Sequence, residues 1–232
     1  MSDVVREIAF DTETTGLDWA SDDRVIELGA VEMINHISTG KTFRVLINPG
    51  RSVSEATVRI TGITDEMLVD KPSFESPEVV DAFLEFVGDS KLVAHNASFD
   101  RGFLNAELKR CGRPEIDISR WVDTVIIARQ KFPGAPASLD ALCRRFDISL
   151  ESRTLHGALL DAQLLALVYL ELLGGRARSF EFGFQSSVKN TELAKSQARQ
   201  SNLASRLTQD EQSAHTEFIA KLGKNPIWQK YA

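Results

Sequence analysis

Apolar positions recur along this chain with two different periods. Residues 4–10 (VVREIAF) form an apolar, β-prone run that ends at Asp11. Residues 24–34 (RVIELGAVEMI) and 41–47 (KTFRVLI) have the same character, with a predicted turn at residues 38–40 between them. Asn48-Pro49-Gly50 stops the third segment, so the first fifty residues read as an antiparallel meander. The period then lengthens. Short helical pieces are predicted over 55–59 and 64–68, then a helix over 77–87 in which Val80, Phe83, Leu84 and Val87 recur at helical spacing. Residues 91–94 read as a short strand, 99–111 as a helix and 120–122 as a strand. Further helices are predicted over 124–130, 138–146 and 157–173, the last ended by Gly174-Gly175. This order predicts an α/β protein, with a mixed β-sheet flanked by helices.

Past Gly175 the pattern weakens. Residues 185–202 are polar with no sustained apolar face and read as linker. Thr208-Gln-Asp-Glu211 has capping-box form, and Ala214, Phe218 and Leu222 follow at four-residue intervals before Gly223. The predicted organisation is a domain over 1–175, a flexible linker over 176–207 and a C-terminal segment over 208–232.

Composition adds exclusions. No apolar run approaches the roughly 18–20 residues of a membrane span, and the N-terminus lacks a signal-peptide layout, so a cytoplasmic protein is expected. Cys111 and Cys143 lack metal-ligand spacing and read as reduced thiols. Residues 1–175 carry 18 Lys+Arg against 28 Asp+Glu, a net charge of −10, whereas residues 176–232 carry 9 against 5, a net of +4. An acidic body binds polyanions poorly unless cations offset it.

The candidate chemistry lies in Asp11, Glu13, Asp100, His156 and Asp161. If the first strand continues, Asp11 and Glu13 point to one face and Thr12 to the other. Asp100 follows a short strand, in the first turn of a helix where an acid also complements the macrodipole. His156 and Asp161 would lie about 140° apart if both were helical. His156 therefore belongs on the preceding loop beside Gly157. Asp161 shares the stripe of Leu164, Leu165, Val168 and Leu172, where an unpaired carboxylate would cost several kcal/mol. Four acids brought together require cations, and two divalent ions, Mg²⁺ or Mn²⁺, suit phosphodiester hydrolysis. An imidazole can take a proton from water at neutral pH. Thr14-Thr15-Gly16 forms a tight turn whose exposed amides could lie against a nucleotide.

The segments DTETTG, HNASFD and HGALLD together resemble the three motifs of the DEDDh family of 3′–5′ exonucleases. Residues 4–175 look most like the proofreading subunits of bacterial replicative DNA polymerases. The resemblance implies a ribonuclease H-like fold and a groove for a frayed, single-stranded 3′ end. It implies metal ligation by Asp11, Glu13, Asp100 and Asp161, with His156 as general base. Asp11, Glu13, Thr14, Thr15, Asn96, Phe99 and Asp161 would lie against substrate. The tail (LTQDEQSAHTEFIAKLGKNPIW) is similar to the segment by which such subunits dock on the polymerase's catalytic subunit. Two departures stand out. Thr61 occupies a place where many relatives have His, and residues 176–182 lack the Gln that usually opens a motif for the sliding clamp. A free-standing exonuclease acting on RNA or repair intermediates, and a non-catalytic scaffold, are the competing readings.

Overall fold

In the computed structural model, residues 4–150, 155–175 and 208–221 are described. The chain divides into two compact units, Met1–Ser186 and Ser187–Ala232. The predicted linker, the clamp-motif region and residues 222–232 lie outside the described residues.

The first unit is built on a five-stranded sheet of order β3-β2-β1-β4-β5. The strands are β1 (Arg6–Thr14), β2 (Val25–Ile34), β3 (Ile37–Leu46), β4 (Lys91–Ala94) and β5 (Trp121–Asp123). β1 is central, antiparallel to β2 and parallel to β4, while β2–β3 is antiparallel and β4–β5 parallel. Among its described residues, seven helices accompany it: α1 (Glu55–Thr61), α2 (Asp65–Leu68), α3 (Pro77–Val87), α4 (Ala97–Arg110), α5 (Thr124–Lys131), α6 (Leu139–Arg145) and α7 (Ala158–Leu172). The expected mixed sheet flanked by helices is therefore present.

Side-chain alternation sends the inner strands β1, β2 and β4 into two cores. Ile8, Phe10, Leu28 and Leu92 join Phe83, Phe103 and Leu104 on the α3/α4 face. Ala9, Val31, Met33 and Val93 join Leu142, Leu165 and Val168 on the α6/α7 face. The strand interiors are apolar because helices cover both faces.

Two boundaries differ from the sequence expectation. β1 does not stop at Asp11 but runs on to Thr14, carrying Asp11 and Glu13 within the sheet. The β2–β3 turn is not at residues 38–40. It falls at Asn35-His36, whose φ values of 51° and 69° supply the positive pair that a two-residue primed hairpin requires. Residues 38–40 lie inside β3, where the register slips between Val31 and Met33 and Gly40 takes φ +85°. The small residues there serve a bulge rather than a turn.

In the second unit, α8 (Gln209–Lys221) starts from the expected capping box. The Thr208 amide donates to Glu211 Oε2 at 2.9 Å, and the Glu211 amide donates to Thr208 Oγ1 at 3.3 Å. No helix among the described residues is long and apolar enough to cross a membrane.

Candidate active site

The end of β1 sets the site. Asp11 stands opposite Gly29 on β2 and Glu13 opposite Glu27, so these four positions share the sheet face that α7 covers. Thr12 faces the other way.

α7 can approach this face because Gly29 has no side chain. A Cβ at Gly29 would lie 2.1 Å from the Ala158 carbonyl carbon and 2.2 Å from the Leu159 nitrogen. The first turn of α7 thus rests on bare β2 backbone beside Asp11. Glu27, 1% exposed, holds that turn in place: its Oε2 accepts from the Ala158 amide at 3.0 Å. Its Oε1 accepts from Arg44 Nε at 2.6 Å, so the buried carboxylate is both paired and hydrogen-bonded.

The same turn delivers His156 and Asp161. His156 is on the loop, its amide bound to the Ile60 carbonyl at 3.0 Å, and Asp161 is on α7 at 4% exposure, as the helical geometry required. Leu164, Leu165, Val168 and Leu172 are buried along the same helix. His156 Nδ1 lies 3.2 Å from Asp161 Oδ2. Ligand atoms of Glu13, His156 and Asp161 lie within 4.8 Å of one another. Asp11, His156 and Asp161 also line an open cavity of about 340 Å³ with His95, Ser138, Leu139 and Asp140.

Asp100 arrives from the other side. It is on the first turn of α4, 3% exposed, and accepts from Thr12 Oγ1 at 2.9 Å. It does not line the cavity, and it meets the other acids through the residue that separates Asp11 from Glu13. Burial pushes its carboxyl up to about 7, the Thr12 hydroxyl opposes the rise, and the nearby Asp123 carboxylate adds to it. Without a cation, folded protein therefore holds this proton between about pH 4 and 7 while the unfolded chain releases it. Stability from this group is full below the unfolded value and is lost as pH rises through about 7. In chelator, the wild-type melting temperature should fall more steeply across pH 4–7 than that of Asp100→Asn. Parallel profiles in differential scanning calorimetry would refute this.

The other predicted substrate neighbours are placed as follows. Thr14 and Thr15 are buried; Thr14 Oγ1 donates to the Gly16 carbonyl, and Thr15 Oγ1 to Asp23 Oδ1 at 3.1 Å. The Thr15 amide donates to the Arg24 carbonyl at 2.9 Å, so it is not among the exposed amides expected of this turn. Asn96 is exposed, with φ 74°, and Phe99 packs on Phe103 at a centroid distance of 4.9 Å. Thr61 is buried, its hydroxyl donating to the Thr57 carbonyl at 3.0 Å.

His95 and Asp140, which also line the cavity, were not singled out by sequence reasoning. His95 Nδ1 lies 2.9 Å from Thr124 Oγ1, which also lies 3.2 Å from the Ala94 carbonyl oxygen. No local pattern signals either residue, because their convergence depends on α5 and α6 packing beside β4.

The donor set fits divalent metal. It is carboxylate oxygen with one imidazole, and Asp100 and Asp161 are nearly inaccessible acids of the kind that a nearby cation stabilises.

A mixed sheet with acids and a histidine gathered at the end of its central strand defines a nuclease of the ribonuclease H-like class. The exonuclease family model RNase_T matches residues 8–169. The chain belongs to this exonuclease family and, within it, to the group of DNA polymerase III epsilon subunits. The protein of that name from Rickettsia felis is 45% identical over 227 residues, covering 95% of this chain and 98% of the relative. The one from Escherichia coli K12 is 39% identical over 240 residues, covering 97% and 98%. Among solved structures, exonuclease X in complex with 5′-overhanging duplex DNA is 30% identical with a TM-score of 0.56, covering 73% of this chain and 90% of that one. The nuclease domain of 3′hExo, a DEDDh member bound to rAMP, shares the fold at 18% identity and a TM-score of 0.63, covering 74% and 93%.

Proposed function

We propose that this chain is a metal-dependent 3′–5′ exonuclease that removes mispaired nucleotides from DNA 3′ ends as the proofreading subunit of DNA polymerase III. The observation that carries the reading is the convergence of Glu13, His156 and Asp161 ligand atoms within 4.8 Å at the end of the central strand. Asp11, Glu13, Asp100 and Asp161 would hold two ions, Mg²⁺ or Mn²⁺, which when bound activate water and stabilise charge on the phosphate and the leaving 3′ oxygen. The chain's own residues supply the rest. An ionised carboxylate only accepts, so Asp161 Oδ2 holds the proton of His156 on Nδ1 and leaves Nε2 as the basic nitrogen. His156 is about half exposed, so Nε2 can take the proton of an attacking water and release it to solvent. Asn96 and Phe99 border the terminal nucleotide, and Thr14 and Thr15 shape the turn beside it.

Residues 208–232 dock on the alpha, catalytic subunit of the polymerase, with 176–207 as a flexible tether and 1–175 as the nuclease domain. α8 presents a half-exposed Phe218, an apolar group suited to such a contact. Residues 176–182, lacking the opening Gln, make any sliding-clamp contact a weak one. A cytoplasmic location follows from the assignment to replication.

The test compares release of nucleotides from paired and mispaired 3′ ends, in DNA and RNA, with and without Mg²⁺. Faster Mg²⁺-dependent release from mispaired DNA is expected. Chain shortened to residues 1–184 should keep that activity and no longer co-elute with the alpha subunit; unchanged co-elution would remove the tether from the proposal.

A further inference from the structure

A second cavity of about 650 Å³ lies on the outer face of α4, lined by Trp19, Ser98, Arg101, Asn105, Lys109 and Arg110 among others. It shares no lining residue with the acidic cavity. Ser98, Arg101, Asn105 and Lys109 recur at three- and four-residue spacing, which puts them on one face of the helix. Its lining carries three cations and one acid, Glu115, within a domain whose net charge is −10; Arg110 is paired with buried Glu107 at 3.4 Å, which leaves Arg101 and Lys109 to meet a ligand. Arg110 Nη2 donates to the Ser21 carbonyl at 3.1 Å and so ties the Trp19 loop to the helix.

Trp19 is held in an unusual way. A Cβ at Gly102 would lie 2.5 Å from the indole Cδ1 and Nε1, so the ring rests on bare helix backbone. It is 47% exposed and lines the cavity. Its loop is pinned to the end of β1: Asp23 accepts from Thr15 Oγ1 at 3.1 Å and from the Asp18 amide at 3.1 Å. A rigid aromatic plane beside a row of cations is the arrangement that binds unpaired nucleic acid, bases stacking and phosphates pairing. From Arg101 to Lys109 the helix rises about 12 Å, the length of three to four stacked nucleotides at about 3.4 Å each.

We propose that this cavity is a subsite for a single-stranded segment flanking the 3′ terminus, with a base on Trp19 and phosphates on Arg101 and Lys109. The inference rests on the nuclease reading above and deepens it. A paired base could not offer its face to Trp19, so the occupant is single-stranded.

The test is fluorescence anisotropy of a labelled octathymidylate in chelator, where no strand is cut. Trp19→Ala should weaken binding about tenfold and Trp19→Phe restore most of it. Arg101→Glu with Lys109→Glu should weaken it at least as much and lower the salt slope by about 1.4. Binding within twofold of wild type in these variants would overturn the subsite. So would an equal loss for a blunt octamer duplex, or competition by polyglutamate as strong as by polythymidylate. With metal, dinucleotide cleavage should be unchanged in all variants, and its loss would also count against a separate subsite. Failure of wild-type protein to cleave at all would overturn the nuclease reading, whereas the metal-free arm decides the subsite by itself.

Discussion

Asp161→Ala should eliminate metal-dependent release of nucleotides, by more than the about 10²–10³-fold that loss of one preorganised donor typically costs. Asp161 is 4% exposed, belongs to the group of three converging ligand atoms and receives Nδ1 of His156. Its removal takes a proposed metal ligand and the partner that orients the proposed base in one step. Asp11→Ala should behave alike, since Asp11 lines the same cavity from β1. The fold should survive both, because each change removes an acid rather than core volume. His156→Ala separates the roles. Hydrolysis should slow about 10²–10⁴-fold, the usual contribution of general base catalysis, while Mn²⁺ titration still gives a binding isotherm. A lost isotherm in His156→Ala would make the imidazole a ligand. Near-wild-type rates in Asp11→Ala and Asp161→Ala would sink the metal assignment altogether.

Gly29→Ala, one methyl group on an inner strand, should be nearly as damaging. The new Cβ would meet the α7 backbone at 2.1 Å, and backbone cannot swing aside as a flexible side chain can. Either α7 or β2 must shift, which for overpacked interiors costs about 1–3 kcal/mol. The displaced turn carries the Ala158 amide bound by Glu27, with His156 just before it and Asp161 just after. A displacement of about 1 Å in a reacting group can cost 10²-fold, so kcat should fall by about that factor even where the protein is folded. Circular dichroism melts and kcat on the same preparation check both halves. Wild-type stability together with wild-type kcat would show that α7 does not bear on Gly29 as described.

The proposed metal-binding end of this protein was legible in unequal parts. Asp161 could be placed from helical periodicity alone, because its stripe of leucines must be buried whatever it packs against. His156 followed from the same geometry. The β1 acids could be put on one face only on condition that the strand continued, and the structure meets that condition by pairing Asp11 and Glu13 with β2. The hairpin turn was misplaced for a physical reason. Ser, Thr and Gly suit a bulge as well as a turn, and the positive-φ pair of the hairpin turn proved to be Asn35 and His36. Thr15 was assigned an exposed amide that the structure pairs with Arg24, a partner nine residues away across a loop.

By itself, then, the order of residues determined the local periods, the succession of strands and helices, the burial of Asp161 and the identity of the acids. These depend on neighbours within a few residues, which sequence displays directly. Tertiary structure decided the contacts that make a site: Glu27 with the Ala158 amide 131 residues away, Gly29 under α7, and Asp100 reaching Thr12 from the opposite face across 88 residues. It also placed Trp19 on Gly102, setting an aromatic plane beside the cations of α4. Such contacts depend on strand order, register and which helix covers which face, and no local period encodes them.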